Sequence, residues 1–313
     1  MNQFGWSLLA LALNLWVGSG ALAMDELYKS QRLTPSGEYT KGIEGPAVDR
    51  RGNLYVVNLH RQGTIGILRS GMSRSELFAT LPKGSVGNGI RIDAQGRMYV
   101  ADYRKHTIYL IERDQEPRIY FRSSHFTQPN DLALSPAGVL FASDPDFTKR
   151  TGRIWMIKPL QNGGVGASLF TPRRMGVTNG IDVSPDGTTL YVSESDTRQV
   201  WAYRIDNDML NEPRLVWSFA DGELDGLRTD IDGKIYVARP GSGRVAILEP
   251  SGSLVREVRT TGRNPTNLTF GGVRGTSAFV TQADGRYIEV FEVDRPGREF
   301  CQHGWVECAP RPN

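Results

Sequence analysis

Six polar residues with oxygen-bearing side chains recur along the chain, and each stands at the start of a similar stretch of sequence. One such stretch, NGIDVSPDGTTLYVSE from Asn179, reads as two strands joined by a tight turn. An amide at a strand start has poor β-propensity and no evident packing role, so its recurrence indicates a shared chemical task. We call these six residues the column; they follow at intervals of 44, 42, 49, 46 and 41 residues: Glu44, Asn88, Asn130, Asn179, Asp225 and Thr266.

Gathered in one place, the column would offer oxygen ligands and two negative charges. Hard oxygen ligands in a roomy site favour Ca²⁺ over Zn²⁺, because the column contains neither His nor Cys. Glu44 and Asp225 match the charge of one divalent ion, and Mn²⁺, Mg²⁺ and Zn²⁺ are the alternatives. The competing interpretation is that each residue only caps a strand or forms an Asx turn, as Asn and Asp often do.

A repeated fold would bring the column together. Each copy continues with an alternating apolar strand, an Asp or Ser turn ending in Gly, a strand of the type Leu-Tyr-Val-Ala, a loop and a third strand. A unit this small cannot bury both faces of its sheet alone, so the units must stack around an axis. Six copies therefore predict an all-β, six-bladed β-propeller. A long β-sandwich or two smaller domains are the alternatives, but the unbroken period leaves no place for a boundary.

The first strand of each unit should lie innermost in its blade, which places the column at the mouth of a central channel. Gln31–Ile43 precedes the first copy and is predicted to add an outer strand to the last blade, closing the ring. Residues 24–313 are thus interpreted as a single six-bladed propeller domain.

Residues 1–23 have a different character. They read MNQFGWSLLALALNLWVGSGALA, with no charged side chain, an apolar run over Trp6–Val17 and a terminal Ala-Leu-Ala. This pattern predicts a secretory signal peptide, and therefore a periplasmic or secreted protein that has no membrane attachment once the peptide is removed. An uncleaved N-terminal anchor is the alternative.

Two cysteines occur in the chain, Cys301 and Cys308, both in the terminal segment CQHGWVECAP. In an oxidising compartment this spacing predicts a disulfide that closes a small loop. A zinc site completed by His303 and Glu307 is the minority alternative, because it lacks further ligands.

The charged residues are balanced and dispersed. Lys and Arg number 37 against 34 Asp and Glu, a formal net charge of +3, and no basic run follows a strand or helix face. Nucleic acid is therefore not an expected partner. The expected partner is a small-molecule substrate.

Five short motifs stand out within the repeats: Glu44-Gly45-Pro46, Pro129-Asn130-Asp131, Asn179-Gly180, Asp225-Gly226 and NPTNLTFGG over Asn264–Gly272. Together they resemble the regucalcin/gluconolactonase family of six-bladed propellers, across nearly all of the chain that follows residue 23. In that family, and in the similar diisopropyl fluorophosphatase and paraoxonase propellers, a Glu, two Asn and an Asp hold the catalytic cation. The resemblance implies lactone hydrolysis, with organophosphates or aryl esters as alternative substrates, and these metal ligands: Glu44, Asn130, Asn179 and Asp225.

The sequence also departs from that family. Many members carry an Arg two residues before the first Asn, where it contacts substrate, and Gln128 stands at that position here. The His dyad of paraoxonases has no evident counterpart. An acidic sugar lactone is therefore a weaker expectation than a lactone in general.

A bound cation would polarise the lactone carbonyl, and Asp225 is the predicted catalytic residue that positions or deprotonates the attacking water. The loops that follow the second strands should rim the pocket, because those strands run back towards the mouth. The predicted substrate-binding residues are Asn88, Tyr103, His106, Gln128, Asp146 and Arg239. A non-catalytic propeller that binds a ligand or protein around a structural calcium ion is the alternative function, since one fold hosts many activities.

Overall fold

A computed structural model describes residues 27–113, 115–171, 173–206 and 209–305. These residues form six four-stranded sheets, which we number as blades 1 to 6. The sequence predicted an all-β, six-bladed propeller, and the structure confirms it. Residues 1–23 and Cys308 lie outside the described residues, so the signal peptide and the disulfide stay predictions.

The strands of blades 1 to 3 follow one another along the chain. Blade 1 contains β2 (Tyr39–Val48), β3 (Leu54–Leu59), β4 (Thr64–Leu68) and β5 (Glu76–Thr80). Blade 2 contains β6 (Gly87–Ile92), β7 (Met98–Asp102), β8 (Thr107–Ile111) and β9 (Arg118–Arg122). Blade 3 contains β10 (Leu132–Leu134), β11 (Leu140–Asp146), β12 (Thr151–Pro159) and β13 (Val165–Phe170).

Blades 4 and 5 repeat this order, and blade 6 completes the ring. Blade 4 contains β14 (Thr178–Val183), β15 (Thr189–Glu194), β16 (Gln199–Asp206) and β17 (Met209–Ser218). Blade 5 contains β18 (Leu227–Thr229), β19 (Ile235–Arg239), β20 (Arg244–Glu249) and β21 (Ser253–Arg259). Blade 6 contains β22 (Pro265–Gly271), β23 (Ser277–Gln282), β24 (Tyr287–Glu292) and, from the start of the chain, β1 (Gln31–Arg32).

Ring closure depends on the outermost strand of blade 6. The short strand β1 pairs antiparallel with β24, with Gln31 opposite Val290 and Arg32 opposite Glu289. This is the outer strand that the sequence predicted for Gln31–Ile43. Both ends of the repeat region are thereby fixed to the same blade.

The hydrophobic core lies between the blades. Six clusters of buried side chains fill the six junctions between neighbouring sheets in the described part of the chain. Tyr55, Tyr99, Tyr191 and Tyr236 from the second strands are all buried in them. The period-two pattern of those strands therefore reflects packing between blades.

Polar side chains at the turns define the first hairpin of blades 1 to 5. In blade 1, Asp49 Oδ1 accepts hydrogen bonds from the backbone N–H groups of Arg51 and Asn53, each at 2.9 Å. Asp93 does the same in blade 2, with Gln95 N at 3.0 Å and Arg97 N at 2.8 Å. Such Asx turns direct the first strand away from the mouth and the second strand back to it.

The chain ends, as described, in a short helix α1 (Arg298–Gln302). The residue before it, Gly297, forms an isolated bridge with Asp230, which lies in the turn after β18 on the face opposite the mouth. The helix therefore lies at the far end of the channel. None of the described helices has the length and apolar character needed to cross a membrane.

Candidate active site

The regular strand pairing is interrupted where the column residues stand. Blades 1, 2, 4 and 6 show a register shift next to the column residue, and in blades 3 and 5 the first strand begins only after it, at Leu132 and Leu227. Bulges of this kind turn a side chain out of the usual alternation of a strand. The column side chains can therefore turn towards the channel mouth.

Close approach of the innermost strands explains the glycine that follows most column residues. Gly180 N donates to Asp225 O of the next blade at 3.1 Å, and Gly89 N donates to Asn130 O at 2.8 Å. A Cβ atom on Gly180 would lie 2.4 Å from Asp225 O and 2.3 Å from Leu227 N. No larger residue fits without moving the neighbouring strand.

Glu44 is held by two donors on one of its oxygens. Its Oε2 accepts from Gly45 N and from Asn267 Nδ2, each at 3.0 Å. Burial is the main cause that raises the pKa of the Glu44 carboxyl to about 7, and the negative charge of Asp131 adds to it. Two uncharged N–H donors thus orient this carboxyl group through Oε2, and neither of them supplies a positive charge.

Asp225 is in a similar electrostatic environment. Burial raises the pKa of its carboxyl well above the usual range, and the charges of Glu44 and Asp131 act in the same direction. The Asn179 side chain hydrogen-bonds this carboxyl, which opposes the shift, and Asn179 Nδ2 lies 3.0 Å from Ser195 Oγ. Asp225 therefore interacts with both Glu44 and Asn179, as the column hypothesis requires.

The other three column residues differ in what they contact. Asn130 O accepts from Asn88 Nδ2 at 3.3 Å, so these two residues meet at the mouth. Thr266 Oγ1, in contrast, donates to Ile43 O at 2.8 Å and lies 2.7 Å from Thr281 Oγ1. The Thr266 hydroxyl therefore ties blade 6 to blade 1, and it is the column member least suited to bind a ligand.

Two residues of the candidate site were missed by sequence reasoning. The position after the column is Gly in four blades but Asp131 in blade 3 and Asn267 in blade 6. Asn267 Nδ2, which donates to Glu44, lies 3.5 Å from Asp131 Oδ2. The break in an otherwise regular column of glycines was the signal that could have identified both residues.

Below the mouth the channel contains a buried ionic network. Asp131 Oδ1 accepts from Arg91 Nη1 at 3.3 Å, and its Oδ2 accepts from Arg228 Nη1 at 2.9 Å. All three side chains are almost completely buried. Deeper in the channel, Arg298 Nη2 of α1 donates to Asp182 Oδ1 at 2.8 Å.

The positive and negative charges of this network are equal in number when the column residues at the mouth are not counted. Its three cations are Arg91, Arg228 and Arg298, and its three anions are Asp131, Asp182 and Glu299. Glu44 and Asp225 form no ion pair with any described residue, and both have raised pKa values. Two uncompensated carboxylates beside amide oxygens suit one divalent cation. The donor set therefore fits the predicted ion.

The fit of the column to a divalent cation depends on its amide oxygens as much as on its carboxylates. Within the described residues no group of three or more His, Cys, Asp or Glu side chains is placed to hold a metal ion. The column offers only two carboxylates, and its remaining members are the amides Asn88, Asn130 and Asn179 and the hydroxyl of Thr266. Such a neutral, oxygen-rich set is compatible with Ca²⁺, which accepts amide and carbonyl oxygens.

The rim residues predicted to bind substrate have diverse surroundings. Arg239 is buried, its guanidinium lies 4.1 Å from the centre of the Phe219 ring, and it pairs with Asp221 at 2.5 Å and with Glu257. Arg239 therefore braces the loop between blades 4 and 5. The geometry does not favour direct substrate contact by this side chain.

The other rim residues are partly exposed. Asp146 Oδ1 accepts from Lys149 N at 2.9 Å and pairs with the Lys149 ammonium. His106 Nδ1 lies 2.7 Å from Phe126 O, and the backbone of Gln128 donates to Asp144 at 2.6 Å. Tyr103 is half-buried. No contact of these residues with a substrate is tested by the structure, so their roles stay predictions.

The polar residues that end the second strands hold the mouth loops. Asp102 Oδ1 accepts from Val86 N at 3.0 Å, and Asp144 Oδ1 accepts from Thr127 N at 2.9 Å. Asn58 Nδ2 donates to Gly42 O at 2.6 Å and to Gly87 O at 3.2 Å. These buried side chains fix the segments that lead into blades 2 and 3, and Asn58 connects blade 1 to blade 2.

Comparison with known proteins agrees with the fold and the motifs. Residues 43–284 match the family described as the SMP-30/Gluconolactonase/LRE-like region. The chain belongs to this family. The matched region contains all six column residues, and the resemblance seen in the sequence motifs is thereby confirmed.

Individual members of the SMP-30/gluconolactonase family are distant relatives of the chain. The gluconolactonase of Zymomonas mobilis is 26% identical over 215 residues, which cover 62% of this chain and 60% of that protein. The diisopropyl-fluorophosphatase of Loligo vulgaris is 24% identical over 292 residues, 83% of this chain and 92% of that protein. The chain thus spans about three fifths of the gluconolactonase and most of the phosphatase.

A solved structure supports the fold. Regucalcin from Agrobacterium tumefaciens, a calcium-binding protein, superposes with a TM-score of 0.69 at 18% identity, over 85% of this chain and 97% of that one. At this identity the likeness concerns the propeller architecture only.

We expect Gly180→Ala to destabilise the protein by about 1–3 kcal/mol, because the new methyl group must displace the backbone of Asp225 and Leu227. Urea unfolding measures this change. Gly42→Ala is the matched control, since Gly42 is an exposed strand glycine whose Cβ would make only an ordinary contact, 3.6 Å from Asn58 Nδ2. Equal stabilities of the two variants would contradict the close approach of the inner strands.

The raised pKa of Glu44 predicts a pH-dependent stability in protein stripped of divalent cations. A carboxyl whose folded pKa, about 7, exceeds its ordinary value of 4.5 stabilises the fold at low pH, and this contribution is lost as the pH rises through 7. Glu44→Gln should therefore raise the free energy of unfolding, relative to wild type, more at pH 8 than at pH 5.

Urea unfolding in the presence of a chelator at both pH values gives this difference. Glu76→Gln is the control, because Glu76 is 66% exposed and pairs only at the surface. A Glu44→Gln effect that is the same at pH 5 and pH 8 would contradict the buried, unbalanced state of this carboxyl.

Proposed function

We propose that the protein hydrolyses lactones, and that Glu44, Asn130, Asn179 and Asp225 hold a divalent cation at the channel mouth, with Ca²⁺ as the preferred ion. The observation that carries this proposal is the charge imbalance. The buried network below is neutral, and two carboxylates with raised pKa values stand above it among amides. Membership of the SMP-30/gluconolactonase family supports lactone hydrolysis as the reaction.

When bound, the cation would supply a Lewis acid for the lactone carbonyl oxygen. Glu44 is already oriented for this task, because Gly45 and Asn267 occupy Oε2 and leave Oε1 for a ligand. Asn130 and Asn88 meet at the mouth and would add neutral oxygen or N–H groups without changing the charge. A calcium-binding relative with the same architecture is compatible with this choice of ion.

Asp225 would position the attacking water or accept its proton. Its carboxyl is hydrogen-bonded to Asn179, which in turn contacts Ser195, so its orientation is fixed from the side of blade 4. Without a cation its pKa is high, whereas a neighbouring cation would lower it and make Asp225 a weaker base. The balance between these two effects decides whether Asp225 removes a proton or only orients the water.

Hydrolysis of aryl esters or phosphotriesters is the second candidate function. It is favoured by one observation, the alignment with a squid diisopropyl-fluorophosphatase along 92% of that protein. A non-catalytic propeller with a structural calcium ion is the third. All three candidate functions would use the same cation site, and the loops above it would decide among them.

The substrate class can be tested with a panel of sugar lactones, aryl esters and phosphotriesters, each assayed with and without a chelator. We expect turnover of lactones that is abolished by chelation and restored by Ca²⁺. Chelator-sensitive turnover of phosphotriesters alone would favour the second candidate. No chelator-sensitive turnover of any compound would favour the binding propeller.

Asp225→Asn tests the role of the predicted catalytic residue. If Asp225 accepts the proton, kcat should fall by about 10²–10⁴-fold in protein shown by calorimetry to bind Ca²⁺ still. Glu76→Gln is the control, because Glu76 is an exposed carboxylate that pairs only at the surface of blade 1. Unchanged kcat in the calcium-loaded Asp225→Asn variant would exclude the base role.

A periplasmic or secreted location is part of the same proposal. It is supported by the apolar, uncharged segment Trp6–Val17 and by the small residues Ala21 and Ala23 that follow it. The predicted Cys301–Cys308 disulfide would suit such a compartment.

A further inference from the structure

The C-terminal segment closes the far end of the channel. Ile231 N donates to Pro296 O and Gly297 N donates to Gly275 O, each at 3.0 Å, which fixes the segment to blades 5 and 6. Phe300 is buried in the cluster between blades 6 and 1. The segment follows the part of the chain that matches the family, which ends at residue 284.

The first two residues of α1 enter the channel with opposite charges. Arg298 is 1% exposed and donates to Asp182, whose other oxygen accepts from Thr229 N at 2.8 Å and from Thr229 Oγ1 at 2.9 Å. Glu299, whose side chain is 21% exposed, contacts Arg91 with 3.3 Å between Oε1 and Nε. Both residues belong to the network of three cations and three anions.

A continuous chain of contacts leads from Glu299 to the mouth. Arg91 lies between Glu299 and Asp131, with 3.3 Å on each side. Asp131 Oδ2 lies 3.5 Å from Asn267 Nδ2, which is 3.0 Å from Glu44 Oε2. Charge at the far end of the channel is therefore connected to the predicted ligand Glu44 through buried groups.

We propose that Glu299 is a positioning residue that sets the affinity of the mouth for a divalent cation, by supplying the carboxylate that makes the buried network neutral. The inference rests on the proposed function. With Glu299 present, the bound ion lies above a network of zero net charge. Without this carboxylate the network carries one net positive charge, which opposes cation binding through an interior where screening is weak.

Arg298 and Glu299 are neighbours with opposite charges, so their substitutions are expected to change the calcium affinity in opposite directions. Glu299→Gln should weaken calcium binding about tenfold, because it leaves an extra positive charge, and Arg298→Gln should strengthen it, because it removes one. A role limited to docking the helix predicts that both substitutions weaken binding. The double variant restores neutrality and should bind calcium within about threefold of wild type, and Glu299→Asp should do so as well.

Calorimetric titration of the chelator-stripped full chain with Ca²⁺ at pH 8.5 measures these affinities, and thermal unfolding reports whether each variant is folded. Weakening by Glu299→Gln together with tightening by Arg298→Gln is the expected result. Unchanged affinity in Glu299→Gln, or weakening in both single variants, overturns the inference while leaving the cation site intact. Failure of the wild-type chain to bind Ca²⁺ overturns the cation site and the inference together.

Discussion

The close approach of the six innermost strands is the constraint on which the rest of the structure depends. In blades 2, 4 and 5 the glycine after the column residue donates to a backbone carbonyl of the next blade: Gly89 to Asn130, Gly180 to Asp225 and Gly226 to Thr266. The same approach leaves no room for a Cβ atom and interrupts the strand pairing just where the column stands. The close approach of the inner strands therefore both packs the ring and sets the orientation of the polar side chains.

Electrostatics sets the second level of organisation. Burying three arginines is costly unless each has a partner, and the channel supplies Glu299 for Arg91, Asp131 for Arg228 and Asp182 for Arg298. The consequence at the mouth is that Glu44 and Asp225 have no protein cation left to neutralise them. The proposed site for a divalent ion is therefore the place in the channel where carboxylates are not neutralised by arginines.

The fold was predictable because its signals are local and repeated. Turns such as that of Asp49 recur five times and strands such as Leu54–Leu59 recur six times, so even weak individual signals define the period. The column could be found in the same way. Asp131 and Asn267 could not, because their roles depend on contacts between blades: Asn267 meets Glu44 across 223 positions of sequence. Arg239 was assigned to the rim from its position alone, whereas its burial against Phe219 depends on a neighbouring loop.

The pairing of β1 with β24 has a consequence for how the site can be lost. The first described strand of the chain is held in the last blade, so no blade can separate without breaking either this closure or an inter-blade cluster. Column residues that are far apart in sequence are held together by the same closed ring of blades. We therefore infer that the mouth disassembles cooperatively: its ligands are either all in place or all dispersed, and partial unfolding should yield no half-formed site.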